Sequence, residues 1–236
     1  SADGTVQLSD LETHHVQVLH DLNPGGWVNH RLWRMYMSVA FNPRWGFVLA
    51  GDDTGLVHML DPRQARQASV AQLHKKDKVT CLSVNPVHDH LLLSTGNDHT
   101  MRLWDTRRLG KGTELALVNH TRVVTSAYFS PRTGTKILST CTDNRIRVWD
   151  SVWGDLQTPS RKIIHSQDFN RYLSPFRAVW DPKASSSQEF PSRRAAASTL
   201  TSASFACCFP ALLPPLPHSA LPGSIRAVDR MRALHL

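Results

Sequence analysis

Thirteen histidines, nineteen acidic side chains and four cysteines are the groups from which this chain of 236 residues could build a catalytic or metal-binding site. Their spacing argues against one. There is no His-Glu-x-x-His pair, no Gly-x-Ser-x-Gly elbow and no glycine-rich phosphate loop. His14-His15 and the other histidines are scattered without the spacing of metal ligands. Cys81, Cys141, Cys207 and Cys208 form neither a disulfide framework nor a paired metal spacing, a usage that suits a reducing compartment. Neither enzyme activity, nor a cofactor, nor a bound metal is expected.

Two histidines do keep a fixed relation to other residues. His74 precedes Asp98 by 24 residues and His120 precedes Asp143 by 23. The elements that hold these pairs recur along the chain. Val57-His-Met-Leu-Asp61, Met101-Arg-Leu-Trp-Asp105 and Ile146-Arg-Val-Trp-Asp150 each alternate apolar and polar residues, as a half-buried strand does. Val6-Gln-Leu-Ser-Asp10 opens the series, and the terminal Asp residues lie 51, 44 and 45 apart. A second marker ends at Pro43, Pro86, Pro131 and Pro182, with steps of 43, 45 and 51. Short apolar strands at 47–50, 91–94 and 136–139 lie between the markers, separated by Gly, Asn and Asp turn residues.

A period near 44 residues, short strands and Trp-Asp endings match the WD40 propeller repeat. The expected fold is all-β, an incomplete WD40 β-propeller of about three full blades and two partial ones. In such blades the His and Asp join a Ser or Thr and the repeat Trp in a buried hydrogen-bonded network. His74, His120, Trp104 and Trp149 are therefore expected to be framework residues. Trp180-Asp181 is not a repeat ending, because it fills the slot of Phe41-Asn42, Val84-Asn85 and Phe129-Ser130; it is assigned to the second strand of a new blade. A propeller that does not close leaves two open sheet edges, a feature that invites aggregation.

Residues 1–183 are read as the partial propeller. Residues 184–236, rich in Ser, Ala and Pro, are read as an unstructured tail. The chain carries a net charge of +8, of which +5 falls in the first 183 residues, where 22 basic residues face 17 acidic ones. A basic balance favours acidic partners, nucleic acid first. No apolar run approaches the roughly 18 residues of a membrane helix, so neither a membrane partner nor secretion is expected.

NHRLWRMYMSVAFNP, LHKKDKVTCLSVNP, TMRLWDTRR and above all HSQDFNRYLSPFRAVWDP resemble the small WD40 subunit family of the UV-damaged-DNA-binding complex, plant-type members most closely. The resemblance covers roughly residues 1–183. It implies a seven-bladed, nuclear propeller that recognises damaged double-stranded DNA for nucleotide excision repair. It further implies two protein partners: the large subunit of that complex, acting as ligase adaptor, and a cullin-4-type ubiquitin ligase for which the family is a substrate receptor. By motif, Phe169, Asn170, Arg171 and Tyr172 match the hairpin that enters the minor groove at a lesion, where an aromatic wedge selects sites that unstack cheaply. Trp33 and Lys78 match DNA-contacting positions, and Lys75 and Lys76 lead into the latter. Ser69 stands where some members have a second tryptophan.

Trp104-Asp105-Thr106-Arg107 matches the W-D-x-R pattern for adaptor docking, with the Arg107 fork offered to a carboxylate or carbonyl group. Asp61-Pro62-Arg63 echoes it without the Trp, and Trp149-Asp150-Ser151-Val152 lacks the Arg. The family's first blades, adaptor-gripping helices and final blades have no counterpart here, as expected of a shortened form. The competing reading is a protein-interaction propeller whose basic surface is incidental.

Overall fold

Alternation of buried and exposed side chains makes each short segment half of a hairpin, and the turn residues decide where the chain reverses. The structure, a computed structural model, describes residues 3–26, 33–64, 66–150, 152–153, 156–165 and 176–181, with the backbone of 233–235. Residues 1–182 with 232–236 form one compact unit and residues 183–231 a second. The tail assignment for 184–236 falls outside the described residues except at Ala233–His235, which are strand.

Sheet I contains β1 (Thr5–Ser9) and β2 (Val16–Asp21), with β15 (Ala233–His235) antiparallel to β1. Three four-stranded antiparallel meanders follow. Sheet II holds β3 (Tyr36–Asn42), β4 (Phe47–Asp52), β5 (Leu56–Asp61) and β6 (Arg66–Gln72). Sheet III holds β7 (Val79–Val84), β8 (Leu91–Gly96), β9 (Thr100–Asp105) and β10 (Ala116–Asn119). Sheet IV holds β11 (Val124–Phe129), β12 (Ile137–Cys141), β13 (Arg145–Trp149) and β14 (Arg161–Ile164). One 3-10 turn, Thr106–Arg108, follows β9. No helix among the described residues is long and apolar enough to cross a membrane.

The end of one blade, three full blades and the opening of another are what the repeat count predicts. The slot of Phe41-Asn42 ends the first strand of its sheet, not the second. Each strand after a Trp-Asp ending pairs back onto the sheet it leaves, so it becomes the outer edge of that blade. Residues 176–181 accordingly lie against sheet IV. The Ala178 N–H donates to Thr140 Oγ1 (3.0 Å), the Thr125 hydroxyl to the Phe176 carbonyl (2.7 Å) and the Trp180 indole to the Tyr128 carbonyl (3.2 Å).

Three apolar layers join successive sheets. Val6, Leu8 and Leu19 of sheet I meet Tyr36, Val48, Ala50 and Leu60 of sheet II. Leu49 and Val57 of sheet II meet Val79, Leu82, Leu92 and Trp104 of sheet III. Leu91, Leu93, Met101 and Leu103 of sheet III meet Ala127, Phe129, Ile137 and Trp149 of sheet IV. Central strands such as β8 are buried along their whole length because they face an apolar layer on both sides. Each first strand carries a register shift in its opening residues, at Tyr36/Ser38, Val79/Cys81 and Val124/Ser126. Such bulges re-aim the chain where the connecting loop enters the sheet.

Candidate nucleic-acid interface

In an antiparallel meander, alternate loops emerge at opposite ends. The loops that enter each first strand, and the hairpins between second and third strands, share one end. Neighbouring sheets keep these ends together: the Leu73 and His74 N–H groups both donate to the Gly55 carbonyl (3.0 and 3.1 Å), and the Gln72 amide donates to the Thr54 carbonyl (3.0 Å). At this end stand Trp33, half-buried before β3, and Lys75, Lys76 and Lys78, exposed before β7.

Below the lysines lies the network expected around His74. The Trp104 indole donates to Ser94 Oγ (2.9 Å), Ser94 Oγ lies 2.9 Å from His74 Nε2, and His74 Nδ1 lies 3.0 Å from Asp98 Oδ1. The spacing is that of a relay in which the indole N–H, the Ser hydroxyl and the imidazole Nδ1–H each donate once. Asp98 also accepts from the Thr100 hydroxyl (2.7 Å) and Arg102 (3.0 Å). Burial alone would raise the Asp98 pKa, but hydrogen bonds from His74 and Thr100 hold it well below the usual carboxylate range. Gly96 makes the arrangement possible: a Cβ there would lie 2.3 Å from His74 Nδ1.

Sheet IV holds the same residues in a different arrangement. His120 Nε2 meets Ser139 Oγ (3.1 Å), but His120 Nδ1 and the Trp149 indole N–H are buried with no partner. Asp143 turns to the Thr121 hydroxyl (2.7 Å) and to Arg147 (3.2 Å at Nη1). Cys141 fills the slot of Gly96, opposite Val124 as Gly96 is opposite Val79. The space that lets His74 reach Asp98 is therefore occupied in sheet IV. The expected network is complete in sheet III and partial in sheet IV. Burial, followed by the neighbouring Arg147 charge, lowers the His120 pKa to about 4.

The inward acids leave the cations outside. Asp52, Asp98 and Asp143 are taken up by Arg34, Arg102, Arg147 and the histidines, whereas Lys75, Lys76, Lys78, Arg122 and Arg145 are exposed. Arg122 and Arg145 were missed in the sequence. Arg122 stands two residues after His120 as Lys76 stands two after His74, a signal the repeat register contains. Phe169, Asn170, Arg171 and Tyr172 lie outside the described residues. Their flanks do not: His165 stacks on Phe176 with ring centroids 4.4 Å apart, and the His165 N–H donates to the Asn144 carbonyl (3.0 Å) at this same end.

The six residues of β9 run from this end to the other, roughly 20 Å away. There Asp105 accepts from Arg107 through its backbone N–H (2.9 Å), Nε (2.9 Å) and Nη2 (2.6 Å). These Arg107 hydrogen bonds bring the Asp105 pKa down to about 2. The Arg107 side chain is 59% exposed. Trp104, the first residue of the W-D-x-R match, is wholly buried with its indole committed to Ser94, as expected of a framework residue. Arg107 borders a cleft of about 200 Å³ lined by Trp45, Phe47, Leu49, Met59, Asn42 and Thr106. The main-chain bond that sets the Asp105 turn recurs at Asp61, which accepts from the Arg63 N–H (2.9 Å). Among the described residues no group of His, Cys, Asp and Glu has the geometry to hold a metal ion.

The WD domain, G-beta repeat family matches residues 67–105 and 113–150. DNA damage-binding protein 2 of Oryza sativa subsp. japonica is 50% identical over 185 residues, which is 78% of this chain and 32% of that protein. Protein DAMAGED DNA-BINDING 2 of Arabidopsis thaliana is 51% identical over 180 residues, 75% of this chain and 32% of that one. The chain thus spans about a third of the length of the curated relatives it matches. A chain in the crystal structure of the Mitotic Checkpoint Complex shares the fold, with a TM-score of 0.56 at 19% identity over 68% of this chain and 44% of that one.

Proposed function

We propose that this chain, which carries WD40 repeats at 67–105 and 113–150 and is similar over most of its length to proteins named for binding damaged DNA, binds damaged duplex DNA at the end bearing Lys75, Lys76 and Lys78. The observation that carries this reading is the division of charge at that end. The carboxylates Asp52, Asp98 and Asp143 are spent on internal partners, while Lys75, Lys76, Lys78, Arg122 and Arg145 face solvent. Such a surface attracts phosphates without reading sequence. Lesion choice falls to Phe169, Asn170, Arg171 and Tyr172, with Trp33 as a further aromatic contact. This is binding rather than catalysis, and nucleotide excision repair in the nucleus is where it would serve.

The opposite end supports a second role as ligase receptor. Arg107, its turn set by Asp105, sits beside an apolar cleft with Trp45 at its rim, and Trp and Arg are the residue types that dominate protein docking sites. The partners proposed are the ligase adaptor and, through it, a cullin-4-type ubiquitin ligase.

Titration with a duplex carrying one abasic site, and with the same duplex intact, tests the DNA reading. The abasic duplex is expected to bind more tightly, and Phe169→Ala to remove the preference. Replacing Lys75, Lys76 and Lys78 by Ala is expected to weaken both duplexes alike. The same replacement flattens the slope of log affinity against log salt by about 0.9 for each phosphate no longer neutralised. Equal affinity for both duplexes, unchanged by Phe169→Ala, would leave the protein-interaction reading in its place.

A further inference from the structure

Sheets III and IV each keep a buried ion pair inside one hairpin, Arg102 with Asp98 and Arg147 with Asp143, four residues apart in both. Sheet II places its charges elsewhere. The register that aligns Val57, Met101 and Ile146 puts His58 in the slot of Arg102 and Arg147, and Thr54 in the slot of the two acids. The acid of sheet II is instead Asp52, opposite Tyr36, where the other sheets pair Val79 with Gly96 and Val124 with Cys141.

Asp52 is wholly buried. It accepts from the N–H groups of Thr54 (2.8 Å) and Leu56 (2.9 Å) and from His58 Nε2 (3.1 Å). It also accepts from the Thr54 hydroxyl (3.0 Å) and from the Arg34 guanidinium, which in turn donates to Thr54 Oγ1 (2.6 Å). Arg34 does not belong to the hairpin; it enters β3 from the preceding loop, directly after Trp33. Its backbone has a second anchor. The Arg34 N–H donates to Asn23 Oδ1 (3.1 Å), and the Asn23 amide donates back to the Arg34 carbonyl (2.8 Å). Beneath Asp52, the Tyr36 hydroxyl meets His20 Nδ1 (2.7 Å), and the His20 and His58 rings lie 5.3 Å apart. Sheet II thus pairs a carboxylate held within its own hairpin with a guanidinium from outside it, on the residue next to Trp33.

We infer that Asp52 is a positioning residue which, through Arg34, sets the place of Trp33 at the nucleic-acid-binding end. A carboxylate buried among fixed N–H donors cannot swing with the guanidinium, so the bond orients Arg34 rather than following it. The consequence for DNA rests on the function proposed above, and the test separates the two.

In the full chain labelled with 5-fluorotryptophan, the Trp33 resonance is the one that disappears in Trp33→Phe. Asp52→Asn is expected to shift or broaden it while the resonances of buried Trp104 and Trp149 stay in place. Asp98→Asn, which breaks the corresponding pair inside a hairpin, is expected to leave Trp33 unmoved. If Asp52→Asn fails to fold, Asp52→Asn combined with Arg34→Gln leaves no unpaired buried charge and is read in the same way. An unmoved Trp33 resonance overturns the inference whatever the DNA result. With the abasic duplex, Asp52→Asn is expected to weaken binding about tenfold in the parent chain and to add nothing to Trp33→Ala, as residues acting through one another do. Equal losses in both backgrounds overturn it as well. If the parent chain binds neither duplex, the DNA reading fails, and the fluorine spectrum alone decides the role of Asp52.

Discussion

Gly96 and Cys141 occupy one slot in two sheets, and the difference of a single side chain decides what each neighbouring histidine reaches. With no Cβ at Gly96, His74 bonds Asp98 on one side and Ser94 on the other. Gly96→Ala is expected to push the imidazole off Asp98 and to cost about 1–3 kcal/mol, the penalty of leaving buried polar groups unpaired. Denaturant titration measures it; a cost below about 0.5 kcal/mol would mean the ring moves aside freely. The His-Asp spacing identified His74 and Asp98 correctly because a repeat keeps its register. The same spacing gave no warning at His120, since the outcome there turns on Cys141, which looks like an ordinary strand residue. The Arg34–Asp52 pair was equally invisible: its members sit 18 residues apart on different elements and break the register of the other blades.

At the scale of the element, the strands were legible because alternation and turn residues act locally. The layers between sheets follow from that alternation, as the two-faced burial of β8 illustrates. The slot of Phe41-Asn42 was misjudged as a second strand: it ends a first one, because the strand after each repeat ending joins the preceding sheet, an outcome of tertiary contacts rather than of its own residues. Sheet IV carries a pH dependence of its own. In the unfolded chain His120 takes up a proton near pH 6.5, whereas in the sheet burial delays this to about pH 4. Its stabilising contribution is therefore complete above pH 6.5 and lost as pH falls towards 4, a change of about 3 kcal/mol. His20 is also lowered, chiefly by burial, and works in the same direction. Asp98 and Asp143, held low by their partners, lose their contribution only below the ordinary carboxylate pKa. Unfolding free energy measured from pH 7 to pH 4.5 is expected to fall, and His120→Gln to flatten the curve. A slope unchanged in that variant would assign the effect to His20.

The whole molecule keeps its two candidate surfaces on opposite ends of the blades, separated by the length of a strand. The basic balance noted in the sequence marks one end. Arg107 and the Trp45 cleft mark the other. Independence of the two follows. Arg107→Glu is expected to abolish co-purification with the ligase adaptor and to leave the affinity for abasic duplex within about twofold, as distant sites behave additively. A joint loss would show that the ends communicate, and persistence of the complex would count against Arg107 as its anchor. The Phe169–Tyr172 set proposed for lesion contact came from resemblance alone, and only its stacked flanks, His165 and Phe176, are described.

The apolar layers carry a further consequence. Each joins only two successive sheets, so the described blades form a linear series of nearest neighbours rather than a shared core. Damage to one layer weakens the two sheets it joins and reaches the next only through them. Sheets II and III, each held by an apolar layer on both faces, are where such a series comes apart last.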